Sequence, residues 1–186
     1  MLIVYSDKKP SFIKRASALL IDYCIILGYM GILAGLMFVL YLTTGNLPDW
    51  LTYSVTVAEI LGFIVLVLPV GMYLYLSESS THRATIGKRS LHLIVISNKP
   101  NTKLTRSQIA IRTIIKLLPW ELAHFFVWHI VAATANGQNS FPLWLEVGLI
   151  SCIIIPIIYV LMVAFQSKGR GPHDLIARTR VIEASI

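Results

Sequence analysis

The sequence predicts an all-α membrane protein, a four transmembrane helix bundle carrying a short cytoplasmic strand-like segment. Composition is the first reason. Hydrophobic residues fill 56% of the 186 positions and charged residues only 13%, with a mean hydropathy of +0.72. A soluble domain of this length carries roughly twice that charge. The apolar excess also falls in four blocks, each long enough for a hydrocarbon core of about 30 Å, which takes about 20 helical residues. Finally, the basic residues are segregated between these blocks.

The spans are placed at about Ala16–Leu42, Val55–Leu76, Gln108–Ala133 and Leu143–Phe165. Thr43-Thr44-Gly45-Asn46-Leu47-Pro48-Asp49 and Asn136-Gly137-Gln138-Asn139-Ser140 separate the first and last pairs as short turns. The middle break, Ser77 to Ser107, is long and basic. It holds Arg83, Lys88, Arg89, Lys99, Lys103 and Arg106. Lys8, Lys9, Lys14 and Arg15 precede the first span, and Lys168, Arg170, Arg178 and Arg180 follow the last. The two short turns carry no Lys or Arg. The positive-inside rule therefore expects a multi-pass cell-membrane protein with both termini and the middle loop in the cytoplasm. The +7 net charge is assigned to topology and to attraction for anionic lipid head groups, not to nucleic acid. The first apolar run is too long for a cleavable signal. Cys24 and Cys152 lie inside spans, with no disulfide framework and no metal-binding spacing.

Three stretches stand out along the chain. Lys14-Arg15-Ala16-Ser17-Ala18-Leu19-Leu20-Ile21-Asp22 places an Arg at the mouth of the first helix and an Asp two turns on. Ala84-Thr85-Ile86-Gly87-Lys88-Arg89 precedes the strand-like Leu91-His92-Leu93-Ile94-Val95-Ile96. Pro172-His173-Asp174 through Val181 follows the last span. Together and in this order they resemble the RDD family of small multi-pass membrane proteins, with its Arg and Asp on the first helix, its Thr-x-Gly-Lys loop and its terminal His-Asp block. The resemblance implies one RDD-like membrane domain over residues 1–186. Some members of that family are taken to be cation/proton antiporters. The polar third helix, Lys116-Leu117-Leu118-Pro119-Trp120-Glu121-Leu122-Ala123-His124, departs from its commonest form.

Ionisable residues inside a span are costly, at about 2.5–3.5 kcal/mol near the helix centre, and usually face a partner or water. Depth sorts them into two layers. Arg15, Asp22, Arg112 and Lys116 lie toward the basic side. Arg15, Ala18, Asp22 and Tyr29 share one stripe of the first helix, and Arg112 and Lys116 are an i,i+4 pair. Two cations side by side require an anion. Asp22 is the nearest buried candidate, with Asp174 joining if the tail folds back. The alternatives here are a structural ion-pair lock and a charge relay. Glu59, His129 and Glu146 form the other layer, each about one turn inside its span. If they converge, two carboxylates and an imidazole suit a proton, a small cation or a borderline metal such as zinc.

Glu121 and His124 lie between the layers, near mid-span, on nearly one side of the third helix. Pro119 frees the Ile115 carbonyl and is expected to kink the helix. Pro69 and Pro156 likewise free the Val65 and Cys152 carbonyls. Gly28, Gly31 and Gly35 occupy the face opposite Asp22 and suit close helix packing, within the chain or between copies. The run Leu91–Ser97 is expected to pair with Arg178–Glu183.

The leading expectation is a transporter exchanging small cations for protons through Asp22, Glu59, Glu121, His124, His129 and Glu146, without a cofactor. A carboxylate that binds either species couples the two by competition. Four helices leave little room for a sealed pathway, which favours a homodimer or a larger homo-oligomer. The alternative is an accessory or regulatory membrane protein without transport activity. An intramembrane enzyme using a metal or a lipid head group is a third class, and no catalytic motif supports it.

Overall fold

In the computed structural model, residues 9–46, 54–138 and 140–184 are described. Lys8, Leu47, Pro48, Asp49 and Asn139, used above for orientation and turns, lie outside them. The order of elements is α1 (Phe12–Thr44), α2 (Val55–Ser79), α3 (Ile86–Ser90), β1 (Leu93–Ser97), α4 (Arg106–Ala135), α5 (Leu143–Phe165), α6 (Pro172–Ile176) and β2 (Thr179–Glu183). Among the described residues α1, α2, α4 and α5 are long and apolar enough to cross a membrane. The bounds of α1, α2 and α4 extend the expected spans by a few residues, because residues flanking the apolar block continue the helical hydrogen bonding, and α5 has the bounds expected.

Much of the apolar surface of these helices is exposed, including Leu20, Leu36, Leu143 and Ile153. That pattern suits a chain whose solvent is lipid. Residues 63–67 of α2 form one π turn. It lies just before Pro69, which lacks the N–H that would bond the Val65 carbonyl. The Tyr29 hydroxyl donates to that carbonyl at 2.5 Å. Similarly, Pro119 leaves the Ile115 carbonyl without its helical donor, and the Tyr159 hydroxyl supplies one at 2.9 Å. The helix α4 runs unbroken through Pro119.

The chain divides into two compact units. The first comprises residues 1–25, 71–116 and 157–186, and the second residues 26–70 and 117–156. Within the first, β1 and β2 pair antiparallel with Val95 opposite Val181, as the β-branched runs lead one to expect. Leu93, Val95 and Val181 bury one face of this ribbon against Ala18 of α1, with Leu91 and Leu104 at its rim. The start of α4 is a reciprocal cap. Gln108 N–H donates to Thr105 Oγ1 at 3.2 Å, and Thr105 N–H donates to Gln108 Oε1 at 3.1 Å. The Gln108 amide also donates to the Ala177 and Arg178 carbonyls, tying the tail to α4.

Candidate functional site

The first unit is organised around two carboxylates with no solvent exposure, Glu78 and Asp174. Glu78 ends α2. It accepts from Arg112 Nε at 2.9 Å, from Lys116 Nζ at 2.6 Å, and from Lys88 Nζ. Asp174 lies in α6. It accepts from Arg15 at 3.2 Å, from Arg112 Nη1, and from the Thr179 hydroxyl at 3.0 Å. Arg112 is 1% exposed and joins the two acids. Such burial is tolerable only because each charge is paired and hydrogen-bonded. Arg15 also donates to the Gly169 carbonyl, and Lys9 to the Gln166 carbonyl at 3.1 Å. The tail thus folds back onto the mouth of α1.

Asp22 does a different job from the one expected. Its carboxylate takes no part in the ion pairs of Arg112 and Lys116. It accepts from three neutral donors: Tyr73 hydroxyl at 2.7 Å, Thr85 hydroxyl at 2.6 Å and Gly87 N–H at 2.9 Å. The correction has a simple physical cause. Arg112 and Lys116 reach Glu78 instead, and the loop after α2 brings its own hydroxyl and amide onto Asp22. Thr85 caps α3, accepting from Lys88 N–H. Gly87 permits this close approach, since a Cβ there would strike the Ala18 carbonyl.

In the second unit the candidate residues form two carboxylate–imidazole pairs. Glu59 Oε1 and His129 Nδ1 lie 3.1 Å apart, and Glu121 Oε2 and His124 Nδ1 lie 3.8 Å apart. His129 also stacks on Phe125 and meets Trp144 edge-on. Trp128 Nε1 donates to His124 Nε2 at 2.7 Å, which fixes that nitrogen as an acceptor. His124 occupies the space over Gly62 that a side chain would fill. Glu121 Oε2 and His124 Nδ1 are buried without a hydrogen-bond partner, while His129 Nδ1 lies 3.0 Å from the Phe125 carbonyl as well as near Glu59. Glu146 is exposed in the first turn of α5. Of Glu59, His129 and Glu146, whose convergence depth alone left open, the structure brings Glu59 and His129 together. Among the described residues no three of His, Cys, Asp and Glu are placed to hold one metal ion.

The three sequence stretches singled out above meet in the first unit, through the Arg15–Asp174 pair and the bonds of Asp22 to Thr85 and Gly87. A profile described as the RDD family matches residues 9–178. This chain belongs to the RDD family. No curated protein and no solved structure matches it significantly. The match runs from before α1 to just past α6, so it covers the whole second unit of this RDD protein and most of the first, with β2 following it.

Two residues of the RDD core escaped the reading of the sequence. Glu78 lies two residues past the expected end of the second span, in a stretch read as loop. An inventory of acids near the basic side would have singled it out, because few are available there to neutralise Arg112 and Lys116. His173 was noted only as part of a motif. It stacks on Tyr159 and lies 3.4 Å from Asp174 Oδ2. Burial, reinforced by the charges of Arg112, Lys116 and Arg15, holds its imidazole well below the usual range. It is neutral near pH 7. Lys88 is also lowered by burial, against the opposing pull of Glu78.

Proposed function

We propose that this RDD-family protein exchanges small cations for protons across the cell membrane, with both termini in the cytoplasm. The observation that supports the reading is the pair of carboxylate–imidazole couples in the spans of the second unit, where Glu121 Oε2 and His124 Nδ1 are buried without a hydrogen-bond partner. An unpartnered carboxylate in an apolar span needs a proton, a cation or water. The 3.8 Å separation of Glu121 and His124 is too long for a hydrogen bond and leaves room for a proton carrier or a small cation to bridge them. Binding of one excludes the other, which is the elementary coupling of antiport. Gly28, Gly31 and Gly35 have open space where a side chain would stand. A second copy packed on that face would supply the helices a sealed pathway needs.

The orientation rests on the absence of Lys and Arg from the two short turns. The purified chain in proteoliposomes, with an internal pH dye and a panel of monovalent and divalent cations, tests the function. Cation-driven alkalinisation or acidification is expected, above that of empty liposomes. Equal signals contradict exchange.

A second reading, an accessory membrane protein, is favoured by the pairing of the first unit. There Glu78 and Asp174 are matched to cations in a manner that locks elements together. Stable co-purification of another membrane protein, with no flux, would support it.

A further inference from the structure

The first unit contains a cavity of about 390 Å³ between the end of α2 and the start of α4. Its wall includes Glu78, Ser79, Ser80, Thr81, Arg83 and Arg106. We propose that this cavity binds the phosphoryl group of an anionic ligand.

Charge is the first argument. Glu78 is the acid in the wall, and three cations already surround it. Arg106, exposed at the start of α4, adds another cation to the wall itself. A cation entering would meet repulsion, while an anion meets a field of opposite sign. Donor geometry is the second. Ser79 Oγ is buried without a hydrogen-bond partner, and the Thr81 hydroxyl lies in the same wall. The Ser80 hydroxyl is committed to the turn, donating to the Ser77 carbonyl at 2.7 Å. Two hydroxyl-bearing residues and the Arg106 guanidinium match the several acceptor oxygens of a phosphoryl group better than the two of a carboxylate. Size is the third. The volume exceeds that of phosphate alone and admits a small polar group attached to it. The cavity also opens at the end of a candidate span, the depth at which lipid head groups lie. The phosphoryl group can therefore come from a lipid head group or from free phosphate.

The test uses the full chain in micelles of an uncharged detergent and reads the melting temperature. One arm titrates inorganic phosphate at constant ionic strength, with chloride as balance. The other titrates short-chain phosphatidylglycerol against a diacylglycerol of the same chain length, which lacks the phosphoryl group. A saturable rise is expected. Saturation with inorganic phosphate identifies free phosphate as sufficient, and saturation with phosphatidylglycerol alone identifies the lipid. Arg106 is exposed, so Arg106→Gln should fold, and it should weaken the apparent affinity about tenfold, as loss of one charge-assisted hydrogen bond does. Ser79→Ala should weaken it less. Arg89→Gln, an exposed charge outside the cavity wall, should leave it unchanged. The proposal is overturned if neither ligand gives saturation, or if Arg89→Gln weakens binding as much as Arg106→Gln. None of these readouts involves ion flux.

Discussion

Glu78 accepts three cations and Asp174 two, with Arg112 common to both. Replacing Glu78 by Gln leaves Lys88 and Lys116 without an acid, and removing one partner of a buried pair costs about 3–5 kcal/mol. A marked fall in melting temperature, followed by tryptophan fluorescence in micelles, is expected for Glu78→Gln. By contrast, the Lys14–Glu183 pair has a Lys side chain 43% exposed, so Lys14→Ala should cost no more than about 1 kcal/mol. His173 gives the core a pH dependence of definite sign. Its folded-state pKa is depressed, so the folded state binds fewer protons than the unfolded chain below about pH 6.5. Stability is fully present above that pH and declines as pH falls toward the folded value. His173→Gln should flatten the slope of stability between about pH 7 and pH 5. Asp22 was legible as important because a lone acid in an apolar run is conspicuous, and Asp174 as the acid that would join the basic residues if the tail folded back, as it does with Arg15 and Arg112. The partners of Asp22 were not legible, since hydropathy fixes depth along a helix but not which loop folds onto it.

At the scale of elements, Gly87 is where α3 touches α1. A methyl group there would meet the Ala18 backbone carbonyl, and backbone cannot step aside as a flexible side chain does. Gly87→Ala should therefore break the Thr85 and Gly87 bonds to Asp22, seen as a lower melting temperature and faster proteolysis of the loop between α2 and α4. The two tyrosine-to-carbonyl bonds are separate tests of how proline is accommodated. Tyr159→Phe should lose about 1 kcal/mol, with α4 retaining its helicity by circular dichroism. The proline positions identified the freed carbonyls of Ile115 and Val65 from sequence, because the missing N–H is a property of one residue. Which tyrosine answers each is a property of packing, and it was not legible. The pairing of β1 with β2 was legible, since two short β-branched runs stood outside the spans. The reciprocal cap Thr105-x-x-Gln108 was readable as a helix start, yet apolar content alone set the span two residues beyond Arg106.

For the whole molecule, four apolar helices with the charges segregated between them make a multi-pass membrane protein. Reporter fusions at Asn46 and Gln138 should give an external signal, and a cytoplasmic signal at either would reverse the proposed orientation. The central claim is a proposed division of labour between the units: paired charge in the first holds the fold, and the carboxylate–imidazole couples of the second are proposed to carry ions. Glu121 and Glu59 belong to those couples, and neither enters the ion pairs of the first unit. The most direct measurement is cation-driven proton flux in proteoliposomes for Glu121→Gln beside the unaltered protein, with melting temperatures taken on the same preparations. The account predicts that flux is lost while the melting temperature stays within a few degrees. Retained flux with a large fall in melting temperature would contradict it, and would make Glu121 a structural residue.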